Sequence, residues 1–133
     1  MATHISPMLA VSDPDGAIDF YQRAFGAEVR WRIGEPTQVA GLTIAGAELF
    51  LARENPPKTR GPDVAGHTTV RIELFVDRPE DVQEQAVAAG AREANAVQTH
   101  SHNIVGQASP MRMLQGGVVD PFGHHWLIGK FVE

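Results

Sequence analysis

The side chains of this sequence that could do chemistry are six histidines, a set of carboxylates and an arginine two places before a glutamate. His4 and His67, together with a carboxylate such as Glu48 or Glu73, offer nitrogen and oxygen donors of the kind that suit zinc or nickel. The plainer reading makes both histidines partly exposed residues at strand ends. His100 and His102 stand two apart, which on a strand would put both imidazoles on one side. The Thr, Ser and Asn around them point instead to a solvated loop, or to a flap. Arg71 and Glu73 share one face of an alternating segment and either pair with each other or meet a ligand. A free guanidinium there would hold a carboxylate or phosphate through its bidentate fork. There are no cysteines, which excludes disulfides, thiolate nucleophiles and Cys-ligated zinc or iron–sulfur centres. Ser6, Ser12, Ser101 and Ser109 lack elbow-type glycine spacing, and no glycine loop is built to cradle phosphate. No catalytic residue is expected.

The elements that must position these residues come in two copies. Val11–Ala27 has an echo in Phe75–Ala91, with Asp13 matching Asp77 and Gly26 matching Gly90 at a constant offset of 64. Each copy reads as strand, capping Asp, amphipathic helix, Gly stop and strand. In the first module the alternation predicts a strand over His4–Val11, a helix from Pro14 to Gly26, and strands over Ala27–Ile33, Gln38–Ala45 and Glu48–Ala52. In the second it predicts a strand over Thr68–Asp77, a helix over Pro79–Ala89 burying Val82, Ala86 and Ala89, and a strand over Ala91–Val97. A loop over His100–Pro110 then leads to strands over Met111–Val119 and His124–Val132, joined by a turn at Asp120–Gly123. Glu54–Gly66, polar and rich in Pro and Gly, reads as a linker that could serve as a mobile flap. The expectation is one α+β domain over 1–133, with βαβββ modules at 1–53 and 67–133 and the linker at 54–66. A chain of 133 residues can bury about two thirds of its unfolded surface.

The stretch Val11–Gly26, with its Ser-Asp-Pro-Asp-Gly opening, resembles the opening motif of the vicinal oxygen chelate superfamily, which includes glyoxalase I, bleomycin-resistance proteins, extradiol dioxygenases and fosfomycin-resistance enzymes. Asp120-Pro-Phe-Gly-His-His-Trp126 is similar to its closing motif. The resemblance implies paired βαβββ modules forming a curved, cup-like mixed sheet, commonly in a homodimer. Metal-dependent members draw ligands from the first strand of each module and from the last strand. Here those positions hold Ser6, seven before Asp13; Arg71, six before Asp77; and Leu127, seven after Asp120. A fourth position, used in glyoxalases, falls near Glu48. Arg and Leu offer no lone pair to a metal. The guanidinium would also repel a dication by several kcal/mol at an effective dielectric of about 20.

The resemblance turns Ser6, Met8, Phe50, Arg71, Glu73, Phe75, Met111, Met113, His125 and Leu127 toward the cup, as candidate ligand-binding residues. His124 and Trp126 it places on the helix side. The Met and Phe residues suit irregular apolar ligands; the plain alternative makes them core or dimer-interface residues. The expected function is metal-independent binding of a hydrophobic or antibiotic-like small molecule, with no cofactor, resembling bleomycin-resistance proteins. One alternative is a metal-dependent glyoxalase- or dioxygenase-like enzyme with displaced ligands His4, His67 and Glu48. The other is a catalytically silent interaction domain whose cup is filled by its own side chains. A net charge of −5 argues against nucleic-acid and membrane partners. A homodimer in the cytoplasm is expected, since the sequence shows no leader and no apolar run of membrane-spanning length.

Overall fold

The computed structural model describes residues 1–133. The first helix, α1 (Pro14–Phe25), starts where the Asp13 side chain accepts the Gly16 N–H at 3.1 Å and Pro14 occupies a position that needs no donor. It stops at Gly26, which takes the left-handed conformation at φ 68°. Ala17, Ile18, Tyr21 and Ala24 form its buried stripe. Around it run β1 (Met8–Val11), β2 (Glu28–Ile33), β3 (Val39–Ile44) and β4 (Ala47–Arg53), in the order β1-β4-β3-β2. The second module repeats this plan with β5 (Arg71–Phe75), α3 (Pro79–Ala89), β6 (Arg92–His102), β7 (Met111–Val119) and β8 (His125–Val132), in the order β5-β8-β7-β6. In each sheet the first strand lies parallel to the last, and the other neighbours are antiparallel. The fold is α+β: two four-stranded mixed sheets, with no closed barrel.

Alternation decides what each strand hides. Leu9, Val11, Ala40, Leu42, Leu49 and Leu51 are buried on the helix side of the first sheet, and Val118, Trp126 and Ile128 on that of the second. These side chains join one apolar cluster that runs through both modules. Its polar pin is Asp120. One carboxylate oxygen accepts the Tyr21 hydroxyl and, at 3.0 Å, the Trp126 indole N–H; the other accepts the backbone N–H groups of Phe122 (2.9 Å) and His124 (3.0 Å). Burial, together with the Asp120 charge, drives the Tyr21 phenol well above its usual pKa of 10.0, so it remains a donor. Tyr21 thereby ties the first helix to the turn of the closing motif.

Four sequence expectations are corrected. The first strand covers Met8–Val11 rather than His4–Val11, though Pro7 still accepts the Phe50 N–H at 2.9 Å. Asp77 does not cap α3: that helix starts one residue later in the repeat, at Pro79, so the cap position falls on Arg78 and no side chain bonds it. The Glu54–Gly66 segment is strapped down and contains a short helix, α2 (Pro62–Ala65). The Glu54 N–H donates to Val11 O at 2.9 Å, and Asp63 N–H to Phe122 O at 3.2 Å. Gly123 is needed there, because a Cβ would strike the Pro62–Asp63 backbone. Finally, β6 extends through His102, so His100 and His102 belong to a strand and not to a loop.

Candidate functional site

Because the helices cover one face of each sheet, chemistry is left to the other, open face. On β5, Ile72 and Leu74 pack on the core, which turns Arg71, Glu73 and Phe75 outward. On β8, burial of Trp126 and Ile128 likewise turns out His125, Leu127 and Phe131. The parallel register sets Arg71 beside His125 and Glu73 beside Leu127. On β7, Met113 pairs with Phe131 and Gln115 with Gly129, so both methionines of that strand share the face.

Arg71, Glu73, Met111, Met113 and Leu127 meet around a depression of about 580 Å³, which Gln115 and His102 help to line. Glu73 accepts the Gln115 side-chain N–H at 3.1 Å. Arg71 is in no ion pair, with Glu73 or any other carboxylate. It also borders an adjoining depression of about 410 Å³, where His67, Thr69 and His125 are its neighbours and no carboxylate is present. The guanidinium thus stands between a mixed basin, whose apolar floor is Met111, Met113 and Leu127 and whose Glu73 carboxylate is held by Gln115, and a carboxylate-free wall of hydroxyl and imidazole groups on the side where an anion would meet it.

The remaining candidates lie elsewhere. Phe75 shares the open face but stacks on Phe131, with ring centroids 5.2 Å apart, and does not line the basin. Met8 and Phe50 are register partners on the first sheet, and Phe50 packs against Trp31 at 5.3 Å. The Trp31 indole lies flat over Gly41, where any Cβ would collide with it. The Ser6 hydroxyl donates to the Glu48 carboxylate, and His4 Nε2 lies 3.2 Å from the same oxygen. The displaced metal set is corrected: Glu48 meets His4 and Ser6, but His67 sits beside Arg71, and no group of three His, Cys, Asp or Glu assembles anywhere in the chain. The usual metal positions fit no better, since Ser6 is engaged with Glu48 and the other two are a guanidinium and an alkyl chain.

His124 and Trp126 are on the helix side as expected; the His124 ring donates from Nε2 to Ala10 O at 2.8 Å. Sequence reasoning missed Gln115, which positions Glu73, and the place of His100 and His102 in a strand, on its open-face side. Alternation through Gln98-Thr-His-Ser-His102, with a strand-favouring Thr at its centre, was the available signal. No helix is long and apolar enough to cross a membrane.

Comparison with known proteins agrees with this architecture. The family model described as Glyoxalase/Bleomycin resistance protein/Dioxygenase superfamily matches residues 3–128. An uncharacterized protein of Mycobacterium tuberculosis, Rv0887c, is 34% identical over 97% of this chain and 75% of its own length. Among solved structures, TioX from Micromonospora sp. ML1 superposes with a TM-score of 0.69 at 28% identity, covering 98% of this chain and all (100%) of that one. A gene product of Arabidopsis thaliana shares the fold with a TM-score of 0.75 at 21% identity, over 98% of this chain and 100% of that one.

Proposed function

The chain belongs to the Glyoxalase/Bleomycin resistance protein/Dioxygenase superfamily, and from that premise we propose that it binds a small hydrophobic molecule bearing an anionic group, without a metal ion. The observation that carries this reading is the basin on the second sheet, where Met111, Met113 and Leu127 form an apolar floor beside the unpaired Arg71. Its volume of about 580 Å³ lies within the range of about 300–1,000 Å³ usual for small-ligand sites. Micromolar retention requires about −8 kcal/mol. Burial of some 200 Å² of apolar surface contributes about 5 kcal/mol toward that at 25 cal/mol per Å². A bidentate bond from Arg71 to a carboxylate or phosphate contributes about 1.5–3 kcal/mol more. The unbranched methionines adapt to the outline of the ligand.

The basin is open on one side, and the proposal includes a second copy of the chain as its cover. Ile33 (60% exposed), Phe75 (51%) and Phe131 (59%) leave apolar surface on the open faces of both sheets, which a homodimer would bury. Phe75→Glu is expected to shift a dimer to monomer in sedimentation velocity.

A thermal-shift screen of hydrophobic acids and antibiotic-like compounds, run on chelator-treated protein, tests the binding itself. Stabilising hits are expected, and Arg71→Ala should weaken anionic ones by about 30-fold, equivalent to about 2 kcal/mol. A screen without hits, or with hits only after a divalent metal is restored, would remove the reading.

A further inference from the structure

Arg71 borders one more depression, which the small-molecule reading leaves unused. It measures about 450 Å³ and is walled by Asn95, Gln98, His100 and Gln115, with alanine and glycine between them. It shares Arg71, Gln115 and Leu127 with the methionine-floored basin, so the two meet at one rim. At Gly117 the approach is close: a Cβ there would stand 3.3 Å from Asn95 Nδ2 and 3.4 Å from Leu127 Cδ2. An amide and a part of the apolar floor thus flank the same strip of bare backbone. Strand β6 also breaks register on β7 on either side of Asn95, an irregularity of the kind that re-aims a side chain.

The chemistry of this shelf is that of amides. Asn95 accepts the Gln83 N–H through its backbone carbonyl at 2.7 Å, and its side-chain amide, like that of Gln98, makes no hydrogen bond within the chain. Gln115 donates from Nε2 to Glu73 and keeps its side-chain carbonyl. A primary amide offers N–H donors and a carbonyl acceptor together, which complements a secondary amide that needs one of each. No carboxylate lines the shelf, so an ammonium group would face Arg71 there without a counter-charge. The guanidinium matches a carboxylate, and across the shared rim Met111, Met113 and Leu127 match an apolar group. A carboxylate, an apolar group and a secondary amide around one point describe a single carbon, the α-carbon of an N-acylated amino acid.

We propose that the Arg71 face selects N-acylated hydrophobic amino acids, with the carboxylate on Arg71, the side chain on the methionine floor and the acyl amide against Asn95 and Gln98. The inference rests on the small-molecule reading and names its ligand class. It fails separately, because that reading needs only the basin and Arg71. The C-terminal residue of a peptide presents the same three groups. Acetyl-Gly-Gly-Phe binding more tightly than N-acetylphenylalanine would point to peptides as the source, and equal binding to free acylated amino acids.

The test is calorimetric titration of the full, chelator-treated chain with 3-phenylpropanoate, phenylalanine and each enantiomer of N-acetylphenylalanine. One N-acetyl enantiomer is expected to bind at least about 10-fold more tightly than 3-phenylpropanoate, the equivalent of about one neutral hydrogen bond. It should exceed free phenylalanine by a similar factor. It should also exceed its mirror image by about 10-fold, because three unlike contacts fix the hand of the carbon. In Asn95→Ala/Gln98→Ala, two exposed positions, the ratio between the acylated ligand and 3-phenylpropanoate should fall to about 1. A ratio taken on one variant separates lost amide contacts from lost fold. Equal binding of 3-phenylpropanoate and both N-acetyl enantiomers would overturn the inference and leave the basin reading standing. Failure of both enantiomers to bind, free phenylalanine binding as tightly as either, or an undiminished ratio in the double variant would each overturn it too.

Discussion

The two modules follow the same path but differ in what they hide. Most of the fully buried apolar side chains belong to the first, where α1 presses Ile18, Phe20 and Tyr21 onto a sheet of leucines and alanines. In the second, α3 buries the polar Gln83, which bonds Glu93 at 2.9 Å and the Asn95 carbonyl at 2.7 Å, over a Gly116 that leaves room for it. The second module also carries the arginine, histidines and methionines of the open face. A duplicated fold has thus divided its labour: one copy contributes most of the core, and the other displays the chemistry.

Breaking the core link between the copies should have the largest effect. Trp126→Ala is expected to cost about 3–5 kcal/mol in urea unfolding, through the cavity it leaves beside Tyr21 and Phe25. Its neighbour Leu127→Ala faces the basin and should change stability much less while impairing ligand retention. A small loss at Trp126 would mean that the modules do not share a core.

Next comes the hydrogen bond that joins them. Tyr21→Phe should cost about 1–3 kcal/mol near neutral pH, because Asp120 loses its phenolic donor. The same variant has a pH signature. With the folded pKa raised above 10.0, the contribution of Tyr21 is fully present below pH 10 and falls as pH rises beyond it. Wild-type stability should therefore decline above pH 10, and that part of the decline should be absent from Tyr21→Phe when both are unfolded by denaturant across pH 8–11.

The smallest effect separates the helix starts. Asp13→Ala should cost about 1 kcal/mol, whereas Asp77→Ala should stay within about 0.5 kcal/mol. Equal losses at the two positions would restore the strict repeat that the structure breaks.

Where sequence reading succeeded, the signal was local and periodic. The Asp13–Pro14 start, the Gly26 stop and the alternation of β5 and β8 are each set by one residue's conformational preference or by period two. Alternation put Arg71 and Glu73 on one side of β5, but which side is open, and the place of Leu127 on it, came from the family resemblance. Sequence reading failed where two local signals competed or where a distant partner decided. Pro79 fixes the start of α3 and takes the cap from Asp77. Polar residues around His100 resembled a loop until pairing with β7 drew them into a strand. The Pro-rich linker looked free, yet backbone bonds to Val11 and Phe122, distant in sequence, hold it. The relation of Arg71 to Glu73 was undecidable from spacing alone, because a third residue, Gln115, takes the carboxylate.

The central claim is that the Arg71 face of the second sheet binds a small molecule without metal. Its most direct test uses the four methionines at 1, 8, 111 and 113 as reporters on two separate regions. Methionine methyl groups would be carbon-13 labelled, and chelator-treated protein titrated with the best-stabilising compound of the screen. The expected result is saturable movement of the Met111 and Met113 signals, with Met1 unmoved, and loss of that response in Arg71→Ala. Binding that leaves Met111 and Met113 in place, or that appears only when a divalent metal is added back, would contradict the claim.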